Sequence, residues 1–204
     1  MNRIYVEGRE KLFIESLLIK IYGKNYKETI IVIDAKGWQQ LELLKQEFEK
    51  SINENGSNLI VFDSDSEVNG GGFERREAEI QGICSILGYH YKLFLFPNNS
   101  DDGDYETLLE RIVNEKHKML LDCFSEYEKC ISTQKNEEGD NIYVLPARKA
   151  KMYSYVDAFK KSRTKSQKFR NGDWFFDDSE YWTIENNSAI EPLIEFLKTN
   201  INFQ

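Results

Sequence analysis

Apolar residues recur along this chain in two rhythms. Compact runs at residues 3–6, 28–34, 59–62 and 91–96 read as strands. The run Leu59, Ile60, Val61, Phe62 has no polar residue to turn toward solvent. It suits a strand buried on both faces of a parallel sheet. Residues 30–33 are β-branched throughout, which suits a central strand. Between the runs, apolar residues fall three and four apart, the spacing of one helical face. Phe13, Leu17 and Ile21, with Leu18 beside them, mark a helix over residues 10–22. Trp38, Leu41, Leu44, Phe48 and Ile52 mark one over 38–52, and Ile80, Ile83, Cys84 and Leu87 one over 73–87. Strands alternating with helices predict a parallel sheet with helices on both faces, an α/β fold of Rossmannoid type.

The pattern changes after residue 104. Residues 105–130 read as helix with a bend near Lys118, and 133–141 as a loop. Residues 142–145 read as a short edge strand stopped by Pro146. Residues 147–162 read as a helix, 163–172 as a basic loop, and 189–200 as a closing helix with Leu193, Phe196 and Leu197 inward. Trp174, Phe175, Phe176, Tyr181 and Trp182 form an aromatic cluster expected to pack this part onto the core. The division predicted is an α/β core over residues 1–118 and a mainly helical extension over 119–204, folded as one unit.

Composition narrows the classes. The chain has 204 residues, enough for one well-buried core. No apolar run approaches the ~20 residues needed to span a bilayer, and the start of the chain lacks the apolar region of a signal peptide. Cys84, Cys123 and Cys130 are odd in number and form no CxxC, so free thiols in the cytoplasm are expected. His90 and His117 have no metal-ligand spacing, and no GxSxG or HExxH pattern is present. The formal net charge is −8, which argues against a general nucleic-acid coat. Residues 148–170 invert it locally, with nine Lys and Arg against the single acid Asp157. They form either a grip for nucleic acid, centred on Lys161, Arg163, Lys165 and Lys168, or an internal balance for the acidic core.

Acids gather where strands end. Asp63-Ser64-Asp65 follows the run 59–62, and Glu7-Gly8 follows the first strand. In open α/β sheets that edge is where ligands bind. Hard oxygen ligands so placed suit Mg²⁺ or Mn²⁺. The plain alternative is a solvated turn, since Asp and Ser favour turns. Gly70, Gly71 and Gly72 follow as a flexible loop or a phosphate-cradling turn, and Arg75 and Arg76 open the next helix as candidate phosphate contacts or as part of a solvated face. Asp104 and Glu106 lie beyond the fourth strand, where Asp104 also reads as a helix N-cap with an acidic first turn.

The pair VEG at 6–8 and DSD at 63–65, each after a strand of a βα repeat, resembles the Toprim domain of topoisomerases, primases and OLD-family nucleases. FLFPNNSDDGDYETLL at 94–109 and PLIEFL at 192–197 resemble, more closely, a group of small bacterial Toprim-like proteins whose domain has no known function. The resemblance implies a Mg²⁺- or Mn²⁺-dependent nuclease. Asp63 and Asp65 would hold the ion, Glu7 would serve as acid, base or further ligand, and Asp104 and Glu106 would assist. One position departs from the family pattern EGxxD, because Lys11 stands where the acid is expected and Glu10, one place earlier, is the available stand-in. The same resemblance admits a non-catalytic sensing or interaction module beside an ATPase in phage defence. A HAD-type phosphatase fits less well, since Glu67 stands where that pattern needs Thr or Val.

Overall fold

The computed structural model describes residues 1–203. The strands are β1 (Asn2–Val6), β2 (Ile30–Asp34), β3 (Asn58–Asp63) and β4 (Lys92–Phe96), all parallel, in the order β2-β1-β3-β4. The α/β expectation therefore holds. β2 forms one edge of the sheet, not its centre, and Ile31 is exposed there. β-branching reports fit to a pleated surface and not rank within the sheet.

The chain forms two compact units. The first holds residues 1–108 and the segment from Asn186 onward; the second runs from Leu109 to Glu185. The division thus falls ten residues earlier than the pattern suggested, and the closing helix returns to the sheet. In the first unit the strands alternate their side chains between two faces. Tyr5, Ile60, Phe62 and Leu95 pack with Leu41, Phe48, Ile80 and Cys84. These come from α2 (Lys45–Asn53), α3 (Phe73–Leu87) and the 3₁₀ turn Trp38–Leu44. The helix expected over 38–52 is thus two pieces. It enters from Gly37 at φ 104° as 3₁₀ and becomes α-helical only at Lys45. The other face takes α1 (Glu10–Tyr22), which buries Phe13, Ile14, Leu17 and Leu18, and α8 (Glu191–Asn200), whose Phe196 ring lies 5.4 Å from Phe94.

A buried polar knot ties the first face together. The rings of Tyr5, Phe48 and Tyr89 stack at 4.2 and 4.1 Å. The Tyr5 hydroxyl donates to Asn58 Oδ1 at 3.0 Å, and Asn58 Nδ2 donates to the carbonyls of Phe48 and His90 at 3.1 and 3.3 Å. Asn58→Ala strands all three groups. It should cost about 3 kcal/mol and lower the urea midpoint at unchanged slope.

The second unit corrects several readings. Residues 105–130 break into α4 (Tyr105–Ile112), a turn at Glu115–His117 and α5 (Met119–Ser132). Asn114 interrupts them by capping that turn through Lys116 N–H at 3.0 Å. Residues 142–145 form no strand and are exposed. α6 (Arg148–Asp157) ends five residues early, and the expected basic loop is α7 (Arg163–Arg170). Ser162 caps α7 by accepting from Lys165 N–H at 3.2 Å. The aromatic cluster is this unit's own interior: Trp182 packs against Tyr155 and Phe176, and Tyr181 against Phe159 and Phe175. Among the described residues no helix is long and apolar enough to cross a membrane.

Candidate functional site

The register puts the acids at one edge. Val6 pairs with both Asp34 and Val61, so Glu7 leaves β1 beside the end of β3, which closes on Asp63. β1 and β3 are the neighbours at which the strand order reverses, the switch point where open α/β sheets hold ligands. Gly8, at φ 152°, turns the chain directly from Glu7 into α1, and Glu10 opens that helix.

Burial and repulsion set the electrostatics. The Asp63 carboxyl is enclosed on most sides, and its pKa is pushed well above the usual range by desolvation and then by Glu7 and Glu10. The Tyr105 backbone N–H donates to Asp63 Oδ1 at 2.8 Å and opposes this in part. Glu7 is raised to about 7 by burial, with Glu10 and Asp65 adding repulsion, while Arg76 and a hydrogen bond from the Asp63 backbone pull the other way. Glu10 is raised by burial and by Glu106 and Asp34. One of its oxygens, Oε2, is buried without a hydrogen-bond partner, as is the Tyr105 hydroxyl. Crowding and desolvation of this kind favour the neutral form of each carboxyl, and a positive charge nearby would oppose that.

Asp65 has a different setting. It sits at φ 59°, and its Oδ2 accepts from Arg76 Nη2 at 2.7 Å. Arg76 is itself buried, donates to Glu79 Oε2 at 2.7 Å, and lies 4.7 Å from the centre of the Trp38 ring. Arg76 is therefore an internal counter-ion and is not presented to solvent. Arg75 is exposed and pairs with Glu79 at 3.0 Å. Asp34 is held below its usual pKa, against burial, by Lys36.

The loop carrying Asp65 is locked by contacts that composition alone did not reveal. Ser64 is fully buried, and its hydroxyl donates to the Gly103 carbonyl at 2.9 Å and accepts from the Gly103 N–H at 2.9 Å. Gly71 is not a free hinge. A Cβ there would lie 2.4 Å from Asp65 Cβ and 2.6 Å from the Ser64 carbonyl. Gly71→Ala must displace the acidic loop, so it should destabilise the fold by about 1–3 kcal/mol and blunt any stabilisation by divalent ions. Thermal melts with and without Mg²⁺ measure both effects. Asp102 caps α3 through Phe73 N–H at 2.7 Å.

The second-rank acids separate. Asp104 accepts from the Thr107 N–H at 2.8 Å and from its hydroxyl at 2.7 Å, the geometry of a helix cap. Glu106 stands close enough to Glu10 and Asp63 to raise both. Among the described residues, no three His, Cys, Asp or Glu side chains meet as a ready metal-holding group. Mg²⁺ does not require one, because it commonly binds through one or two carboxylates, waters and a substrate phosphate. Glu7 and Asp63 fit that donor set, with Glu10 and Glu106 adjoining.

The basic segment is half committed. Lys151 and Arg148 pair with Glu110 at 3.1 and 3.6 Å, and Lys165 pairs with Asp178 at 2.7 Å. Lys161 is buried against the Phe169 ring and donates to the carbonyls of Asp157 and Phe159. Arg163 and Lys168 remain exposed.

Residues 1–202 match the family described as protein of unknown function (DUF3226), and the chain belongs to it. No curated protein and no solved structure matches the chain.

Proposed function

We propose that this DUF3226 protein is a metal-dependent phosphodiesterase acting on nucleic acid, with a Toprim-like core related to the OLD nucleases. The observation that carries the reading is the placement of Glu7 and Asp63 at the β1/β3 switch point, both driven toward their protonated forms by burial and by repulsion from neighbouring carboxylates. A cation removes that penalty. When bound, Mg²⁺ or Mn²⁺ polarises a non-bridging phosphate oxygen and lowers the pKa of a bound water. Asp63, fixed by the Tyr105 N–H, supplies the more rigid ligand oxygen. Glu7, raised to about 7 in the metal-free protein and lower beside a cation, would serve as a general acid or base or as a further ligand oxygen. Asp65, clamped by Arg76, shapes the loop and tempers its charge.

A second reading, a non-catalytic module beside an ATPase, is favoured by Lys11 at the position of a family acid and by the engagement of Asp65 with Arg76. Incubation with single- and double-stranded DNA and RNA separates the two. The first reading predicts cleavage with Mg²⁺ or Mn²⁺ and none with a chelator. Intact substrates under every condition would favour the module.

A further inference from the structure

α5 carries an apolar stripe on its outer side. Leu121 is its buried anchor. On the opposite side, at steps of four, four and three, lie Met119, Cys123, Tyr127 and Cys130. Met119 is 63% and Tyr127 51% exposed, and both cysteines are exposed free thiols. An ordinary surface helix would carry polar residues here. The apolar surface continues past the helix end. Ile142 N–H donates to the Gln134 carbonyl at 3.1 Å, and from there Ile142, Tyr143, Val144 and Leu145 run exposed, Val144 at 93%.

The charges beside the stripe indicate what covers it. Asp122 and Lys129 are seven residues apart, so they flank the stripe on the same side of the helix. Two copies of α5 packed antiparallel about a two-fold axis between residues 126 and 127 bring like flanks together. Asp122 of one copy then lies about 3 Å along the axis from Lys129 of the second, at ~1.5 Å rise per residue. Lys129 of the second copy also falls between Asp122 and Glu126 of the first. The two Glu126 side chains meet near the axis, and the flanking lysines offset their repulsion. Cys123 comes opposite Cys130 of the second copy, and the run that begins at Ile142 comes level with Met119 of the second copy. The intrachain Lys129–Glu126 contact does not compete strongly, since it is 3.8 Å long between two largely exposed side chains.

We infer that the outer face of α5 is a self-complementary surface through which two copies of this chain associate antiparallel. The surface is isologous, so a reversal of one charge is felt twice and a double reversal restores the match. This inference is independent of the proposed phosphodiesterase activity, and its test uses no substrate.

The full chain in reducing buffer should sediment as a reversible dimer at tens of micromolar. Asp122→Lys and Lys129→Asp should each shift it toward monomer by at least tenfold in dissociation constant, and the double exchange should recover the dimer. Mild oxidation supplies a second measurement that keeps native charges. Cys123→Ser or Cys130→Ser alone should give no α5-linked disulfide dimer, whereas an equimolar mixture of the two should, because only the mixed antiparallel pair sets Cys130 against Cys123. A monomer at all concentrations, a dimer indifferent to both charge reversals, or cross-linking by the single variants alone would each overturn the inference.

Discussion

Glu7→Gln should lower metal-dependent cleavage of nucleic acid by about 10²–10⁴-fold, the usual cost of removing a group that moves a proton in the reaction. The loss should appear in kcat, because substrate phosphate contacts are untouched. The fold should survive. Gln keeps the size of Glu7 and its capacity to accept the hydrogen bond from the Asp63 backbone, and it removes repulsion from Glu10 and Asp65. Asp65→Asn is the contrasting variant. Its carboxylate already answers Arg76, and an amide oxygen still accepts from that guanidinium. Asp65→Asn should therefore cost activity less than tenfold, whereas a equal loss in both variants would return Asp65 to the ligand set expected from the DxD pattern. Rates at saturating substrate make the comparison.

Metal-free protein should lose stability as pH rises from about 4.5 to 7. The Glu7 carboxyl has an ordinary pKa of 4.5 in the unfolded chain and about 7 in the folded one. In that window the native state binds more protons than the unfolded state, so the slope of stability against pH is negative. The full effect of Glu7 is about 3 kcal/mol, complete above the folded pKa. Asp63 and Glu10 are raised by the same causes and act in the same direction. Asp34, Glu47 and Asp178 are lowered by their cationic partners, so they act oppositely, but at pH values below their ordinary pKa. Stability should therefore peak near pH 4.5–5, and Glu7→Gln should flatten the decline above it. Chemical denaturation across pH, with a chelator present, measures this. A wild type as stable at pH 7.5 as at pH 5 would show that the cluster carries no such repulsion.

The parts of the molecule legible in the sequence are those in which burial and periodicity coincide. α1 spans the residues that Phe13, Leu17 and Leu18 marked, and β3 is the run from Leu59 to Phe62 with one residue added at each end. The acids at strand ends were legible because the turn of an α/β unit is set by the strand that precedes it. What sequence reasoning missed depends on partners far along the chain. Arg76 reads as a surface cation until the fold brings Asp65 and the Trp38 ring to it. Glu10 reads as an acid one place short of the EGxxD position, and that Glu106 and Asp34 close on it depends on the fold. α7 has only Phe169 as a buried residue, so it shows no apolar stripe; Ser162, three residues before Lys165, was the available signal. Lys161 hides its charge because its ammonium lies over the Phe169 ring and donates to two backbone carbonyls, which spacing cannot show. Gly71 sits in a run of three glycines that suggests freedom, yet its lack of a side chain lets the chain approach Ser64 and Asp65.

The central claim, that Glu7 and Asp63 together hold a divalent cation, is tested most directly by melting wild type and Asp63→Asn at pH 7.5 over a range of Mg²⁺ and Mn²⁺ concentrations. An ion that binds the native state alone stabilises it by RT ln(1 + [L]/Kd), or about 2.7 kcal/mol at a hundredfold excess over Kd. The account predicts a wild-type Tm that climbs with ion concentration and an Asp63→Asn Tm that starts higher, through relief of repulsion, and does not move. An equal climb in both proteins, or none in either, would contradict it.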